Sequence, residues 1–282
     1  MAMIVRREES GLGTWTMVSW RPPELAGLLE SIWYFEGRVL HRERHFPMGV
    51  LDLILQLGDR SDAFRIVEGE PPGACPPCSV GGLLVAPLVI EAPAHPCRVL
   101  GVRLAPAGAH AVLGIPLRDL TNVTIDLRDV VGDEAELLAE RCAEAATDEE
   151  RVRLVGGWIV ERLARARPTD PCIAGAAAQI ERTEGRLPIA ALRNRMGISK
   201  TRLSTGFDEQ IGVSPKRFAR IVRFRAVTRA LSGGDDNLAR LAVRYGYYDQ
   251  PHMNAEFRQL AGLAPTDFLA ATRYPEATSL AE

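Results

Sequence analysis

What the chain lacks narrows it first. Only five of its 282 residues are cysteine, too few for a disulfide framework at this length, so a reducing, cytoplasmic setting is the expectation. Aromatic residues make up 6%. The longest apolar run free of charge, residues 80–90, has 11 residues and contains Gly81, Gly82 and Pro87, which excludes a membrane-spanning helix there. The N-terminus carries Arg6, Arg7, Glu8 and Glu9 where a secretory signal needs an apolar core, and no membrane partner is expected. Lysine is almost missing, with Lys200 and Lys216 against 32 arginines, which reads as genome composition. No Ser-His-Asp order, P-loop or dinucleotide-binding glycine fingerprint appears, so the chain is not expected to be an enzyme.

What is there is an ordinary globular mixture, 46% apolar and 25% charged, with length for two domains. The net charge of -2 hides an asymmetry: residues 171–282 carry +5 and residues 1–170 carry -7. From Arg193 to Arg229 ten basic residues face only Asp208 and Glu209. A basic segment in an acidic chain suggests a polyanion partner, although a solvated helix face would look the same by charge alone.

The C-terminal third repeats itself. Ser199, Leu203, Phe207, Gly212, Pro215 and Phe218 recur 50 residues later as Asp249, Met253, Phe257, Gly262, Pro265 and Phe268. Each unit reads as a short helix ending at a glycine (Gly197, Gly246), a tight turn, and a second helix starting at an N-cap (Ser199, Asp249). That is a helix-turn-helix, twice. The second helix buries one stripe and leaves Lys200, Thr201, Arg202, Ser204 and Thr205 on its other face in unit one, and Gln250, His252, Asn254 and Arg258 in unit two. These side-chain types reach base edges and phosphates in a major groove. A joining helix, about Pro215 to Leu231, carries Arg217, Arg220, Arg223, Arg225 and Arg229, some of which should meet phosphates. The expected DNA-binding set is Ser199, Lys200, Thr201, Arg202, Ser204, Thr205, Lys216, Arg217, Arg220, Arg223, Tyr248, Gln250, His252, Asn254 and Arg258.

The stretches 198–218, ISKTRLSTGFDEQIGVSPKRF, and 246–268, GYYDQPHMNAEFRQLAGLAPTDF, resemble the DNA-binding domain of the AraC/XylS family of bacterial transcription regulators. The resemblance implies a seven-helix reader of promoter DNA that usually activates transcription, with RNA polymerase as a partner. More loosely, 45–59 and 101–120 resemble a poorly characterised sensor-like domain that precedes some of these readers, which implies a small-molecule effector. This sequence departs from the family at Thr205 and Ala255, where arginine is frequent, at Gly206 inside the first reading helix, and at Ala264, where a serine cap is usual.

The first half alternates like strands over 31–40, 50–57, 64–68, 83–90 and 97–104, punctuated by glycine and proline, and turns helical beyond Pro106. Helices are expected over 133–146 and 148–166, either as a homodimer surface or as cover for an open sheet. The fold class is therefore α+β: a mainly-β sensor-like domain with a helical extension over 1–166, a linker over 167–171, an all-α tandem helix-turn-helix domain over 172–274, and a tail over 275–282. Trp33, Tyr34, His45, Met48 and Arg103 are candidate pocket residues. Cys75, Cys78, His95 and Cys97 are candidate ligands for zinc or another thiophilic metal, although a single CxxC is a weak signal. With those thiols, an alternative reading is a metal-dependent methyl acceptor for alkylated DNA, since the same DNA-binding fold occurs fused to one.

Overall fold

The structure, a computed structural model, describes residues 2–11, 13–58, 64–69, 72–166, 169–274 and 277–280. The N-terminal part is built from β1 (Ala2–Ser10), β2 (Gly13–Arg21), β3 (Leu29–Val39), β4 (Arg42–His45), β5 (Leu51–Gln56), β6 (Arg65–Glu68), β7 (Gly73–Ala74), β8 (Cys78–Gly81), β9 (Leu88–Glu91), β10 (Cys97–Leu104) and β11 (Thr124–Asp126). With them come α1 (Pro106–Leu113), α2 (Arg128–Val131), α3 (Glu134–Glu144) and α4 (Asp148–Arg165). The C-terminal part is helical: α5 (Pro171–Arg182), α6 (Ile189–Met196), α7 (Lys200–Gln210), α8 (Pro215–Ser232), α9 (Leu238–Arg244), α10 (Gln250–Ala261) and α11 (Pro265–Ala271). Two short strands follow, β12 (Thr272–Tyr274) and β13 (Ala277–Leu280). A mainly-β domain followed by a helical one is the fold class that the sequence suggests.

The larger sheet has the order β1-β2-β3-β10-β5-β8-β11, and the smaller one β12-β13-β4-β9-β6-β7. Alternation explains the central strands. Ile32 and Tyr34 of β3 and Leu100 and Val102 of β10 point into the core and are buried. The opposite face is closed by Trp33, whose ring lies across Gly101, where a side-chain carbon would come within 2.0 Å of it. The strand expected over 83–90 forms only from Leu88, because Pro87 lacks a ladder donor. The end of the chain, read as a tail, returns to the first domain, where β13 pairs antiparallel with β4. Of the expected linker, residues 167 and 168 lie outside the described residues; Thr169 Oγ1 donates to the Ala107 carbonyl at 2.9 Å.

One hydrophobic core runs through both domains. Its hinge is the segment between β4 and β5. Phe46 is 2% exposed and sits 6.1 Å from Phe224 and 5.7 Å from Phe268, ring centre to ring centre. Phe224, Phe257 and Phe268 are themselves in contact, so Phe46 completes an aromatic cluster of the helical domain. Two residues on, the Met48 carbonyl accepts from Arg225 Nη1 at 3.0 Å. Arg225 also binds Glu30 (2.6 Å) and Glu181 (3.4 Å) and is 6% exposed. A second contact joins the turn after α1 to the end of α7: Thr121 Oγ1 donates to the Gly212 carbonyl at 2.7 Å, and Arg118 lies 3.5 Å from Asp208.

Because the cluster is shared, Phe46→Ala should destabilise the protein by about 3–5 kcal/mol. Urea unfolding followed by tryptophan fluorescence and by helical circular dichroism should coincide in the wild type and separate in the variant. Coincident curves in the variant would show that the domains do not depend on this contact.

Candidate nucleic-acid interface

The two repeat units are built as their caps dictate. Gly197 and Gly246 end the first helices in the left-handed region, at φ +61° and +72°, where glycine bears no penalty. Ser199 Oγ then accepts from the Arg202 N–H (3.2 Å), and Asp249 Oδ1 from the His252 N–H (2.7 Å), starting α7 and α10. Leu203, Phe207 and Ile211 are buried in one unit, and Met253, Phe257 and Leu260 in the other. Ser214 caps α8 ahead of Pro215, its Oγ accepting from the Arg217 N–H. At α11 the hydroxyl cap is lost to Ala264, and Asp267 reaches back to accept from the Ala264 N–H at 3.3 Å, half of a capping box. Gly206 also has a reason. A side-chain carbon there would come within 2.4 Å of Ile173 Cδ1, so glycine lets α5 lie against α7. Joining the units, α8 has 18 residues and is about 27 Å long.

The outward face of α7 is polar. Ser199, Lys200, Thr201, Arg202, Ser204 and Thr205 are all exposed, as are Lys216 and Arg217 at the start of α8. Around α10, Tyr248 is 92% exposed, His252 and Arg258 are exposed, and Gln250 and Asn254 are half-buried.

The arginines divide into those facing outward and those turned inward. Arg202 lies at the edge of the α7 face, where Gly206 meets α5, and pairs with Asp170 at 2.9 Å. The Arg202 guanidinium and the Cys172 N–H hold the Asp170 carboxyl below the usual carboxylate range. Arg220 binds Glu256 and Gln259 of α10, both at 2.7 Å. Arg223 donates to the Gly185 carbonyl (2.9 Å) and lies 5.1 Å above the Tyr247 ring, whose phenol burial pushes well above its ordinary value. Arg225 is in the domain junction, and Arg229 lies 4.0 Å from Glu30. Sequence reasoning missed Asp170, Glu256 and Gln259. A signal for Glu256 was present: an acid on the apolar side of α10, between Met253 and Leu260, needs a cationic partner.

The candidate pocket residues are not brought together. Trp33 and Tyr34, adjacent on β3, point to opposite faces. The Tyr34 hydroxyl donates to Glu36 at 3.1 Å, Arg151 covers its ring at 4.7 Å, and burial followed by Glu36 pushes its phenol up to about 12. Arg103 pairs with Asp52 at 3.1 Å, and Met48 is buried in the domain junction. His45 flanks Glu43 at 3.5 Å, opposite His41 at 3.6 Å. Burial works to raise that carboxyl, and hydrogen bonds from the two histidines outweigh it and bring it to about 2.

The expected metal ligands are likewise separated. Cys78 on β8 is buried, with its thiol toward the Ala135 carbonyl at 3.8 Å. The ladders pair Cys78 with Leu55 and Leu55 with Leu100, which puts Cys97 two strands away and three residues out of step, roughly 14 Å off. Among the described residues no group of three or more His, Cys, Asp or Glu is placed to hold a metal ion. Burial raises the Cys75 thiol and pushes Cys97 up to about 11, the reverse of what an activated thiolate requires. This arrangement lends the methyl-acceptor reading no support.

Two capped helix-turn-helix units on one joining helix define a tandem helix-turn-helix domain. Residues 192–271 match a family described as a helix-turn-helix domain, and residues 21–126 match a domain of unknown function, DUF6597. The chain is 26% identical over 115 residues to a putative AraC-like transcription regulator of Streptomyces lividans, covering 40% of this chain and 36% of that one. It is 25% identical over 113 residues to a probable thc operon regulatory protein of Rhodococcus erythropolis, covering 38% and 34%. The chain thus spans about a third of the length of the curated relatives it matches. Among solved structures it is similar to ToxT from Vibrio cholerae, at 10% identity and TM-score 0.49 over 86% of this chain and 98% of that one. It is also similar to the C-terminal domain of AraT, a response regulator from Geobacillus stearothermophilus, at 18% identity and TM-score 0.35 over 38% and 93%. The C-terminal domain is thus similar to helix-turn-helix domains, and the wider match is to a putative AraC-like regulator. No helix among the described residues is long and apolar enough to cross a membrane.

Arg220 and Glu256 join α8 to α10. The Glu256 side chain is 7% exposed and that of Arg220 31%, so the pair is only partly screened. Arg220→Ala, which strands the carboxylate, should lower stability by about 2–3 kcal/mol in chemical denaturation. A loss below about 0.5 kcal/mol would make the pair a surface contact only.

Proposed function

We propose that the protein is a transcription regulator that binds double-stranded promoter DNA, with α7 and α10 entering successive major grooves from one face. The observation that carries this reading is two capped helices with exposed polar faces packed on one joining helix, α7 through Phe207 on Phe218 and α10 through Phe257 on Phe224. Lys200, Thr201, Ser204 and Thr205 would read one half of the site. Gln250, His252 and Asn254, with Tyr248 and Arg258 at the margins, would read the other. Ser199, Lys216 and Arg217 lie at helix starts, where backbone N–H groups favour phosphate. Arg202 sits between the two roles, at the edge of the reading face. Arg220 and Arg223, turned inward, position the second unit and the turn at Gly185. The N-terminal domain, docked on α8, would pass an effector signal to the readers, and activation through RNA polymerase is the expected output.

Selection of bound sequences from a random duplex pool, with the full chain at moderate salt, tests the proposal. A motif of two half-sites about one helical turn apart is the expected result. Binding without sequence enrichment would overturn the tandem-reader reading.

Two substitutions sort the contacts. Arg217→Ala should weaken binding on every sequence and reduce the slope of log K against log salt by about one unit; an unchanged slope would remove Arg217 from the phosphate contacts. Arg202→Ala should relax the preference at one position of the selected motif while leaving the others intact. An equal loss on all sequences would make Arg202 a phosphate anchor.

A further inference from the structure

Asp170, the last residue before α5, is fixed by the helices on either side of it. Its Oδ1 caps α5, accepting from the Cys172 N–H at 2.8 Å. Its own N–H donates at 2.9 Å to Oε1 of Gln210, the last residue of α7. The remaining oxygen, Oδ2, accepts from Arg202 Nη2 at 2.9 Å. The Asp170 side chain is 29% exposed and that of Arg202 62%. The carboxylate is therefore the fixed partner and the guanidinium the held one.

Arg202 is the third residue of α7, in the first turn, which in a helix-turn-helix meets base edges. Among the described residues only Nη2 of its guanidinium has a partner. Whichever Nη2 hydrogen the carboxylate takes, one parallel pair of N–H donors stays open, the geometry that grips O6 and N7 of guanine. The second unit holds the same position by other means. His252, 50 residues on, is the third residue of α10. Its Nδ1 lies 3.5 Å from the Tyr248 backbone nitrogen, and its ring centre 5.6 Å from that of Tyr247, both outside the helix. Capping alone does not call for a charge at Asp170. Neutral side chains cap equally well, as Ser199, Ser214 and Asn237 do in this domain. A carboxylate beside a DNA-binding face repels phosphates, so its charge needs another reason.

We infer that Asp170 is a positioning residue for sequence reading: it stays bound to Arg202 on DNA and holds the guanidinium ready to grip a guanine edge in the α7 half-site. Ordering a long side chain in advance removes part of the entropy that binding costs. The inference rests on the DNA-binding reading and deepens it.

The test uses the full chain and the duplex selected from a random pool. Dissociation constants are measured for that duplex, for the same duplex with the Arg202-dependent base pair replaced, and for an unrelated duplex. The proteins are the wild type, Asp170→Asn, Arg202→Ala and the double variant. Asparagine keeps the α5 cap, so thermal melts of Asp170→Asn should match the wild type. The wild type should prefer guanine at that position by about tenfold or more. Asp170→Asn should cut the preference about threefold or more while binding the unrelated duplex at least as tightly. A residue that only caps a helix would not produce that split. In the Arg202→Ala background, Asp170→Asn should leave the remaining preferences unchanged. Tighter binding of Asp170→Asn to the selected duplex, with the preference intact, would overturn the inference and make the ion pair an obstacle to binding. An equal loss of preference with and without Arg202, or a preference there for a base other than guanine, would overturn it too. A selected motif with no position that depends on Arg202 would sink this inference and leave the DNA-binding reading standing, whereas no enriched motif would sink both.

Discussion

The docking of residues 46–50 onto α8 is the contact from which the rest of the molecule takes its shape. A helix joining two helix-turn-helix units must already pack against both, which occupies two of its sides. The N-terminal domain takes a third through Phe46, Met48 and Gly49, the last standing against Phe218 and Ile221. Little of α8 beyond its first turn is left to solvent, and it is buried around most of its circumference rather than along one stripe. The charge of Arg225 follows from that enclosure. A guanidinium here cannot reach water, so it is held by Glu30, Glu181 and the Met48 carbonyl, one partner from each surrounding element. Burial in turn raises the Glu181 carboxyl even with the arginine beside it.

This arrangement couples the two readers to the first domain without a flexible tether. Thr121 and Arg118 hold the end of α7 while Phe46 sits between α8 and α11. The N-terminal domain therefore touches both units, one through polar contacts and the other through ring packing. Packed interiors respond to a displaced side chain by moving whole elements. A shift of residues 46–50 would be felt along α8 and so by the spacing of α7 and α10. That is a physical route from a displacement in the first domain to the exposed faces of α7 and α10.

Much of the helical domain was legible because its signals are local. A cap, a glycine at positive φ and apolar residues four apart fall within one or two turns, and two copies at a fixed offset reinforce each other. The helices expected over 133–146 and 148–166 appear as α3 and α4 for the same reason. The β-domain was legible only where strands are buried: 97–104 was recovered in full as β10. β1 escaped because an outer strand needs no apolar face, and Arg-Arg-Glu-Glu reads as a solvated run. The site residues divide in the same way. The exposed face of α7 could be read from period and polarity. The partners of Arg202, Arg220 and Arg225 could not, because Asp170, Glu256 and Glu30 are 32 to 195 residues away.

That division changes how the basic segment should be weighed. Ten cations between Arg193 and Arg229 suggested a broad positive field, yet several are already committed. Two unit charges 4 Å apart attract by about 4 kcal/mol at an effective dielectric of 20, more than a phosphate beyond a Debye length can offer. Arg220 and Arg225 are therefore structural cations. The two lysines of the chain are placed differently. Lys200 is the first residue of α7, and Lys216 is the second of α8. A cation in the first turn opposes the helix dipole, at a cost of about 0.3–1 kcal/mol. Neither position helps its own helix, and both sit beside N–H groups suited to an anion. A polyphosphate partner turns both costs into gains, which supports the DNA-binding reading from residues that composition alone had set aside.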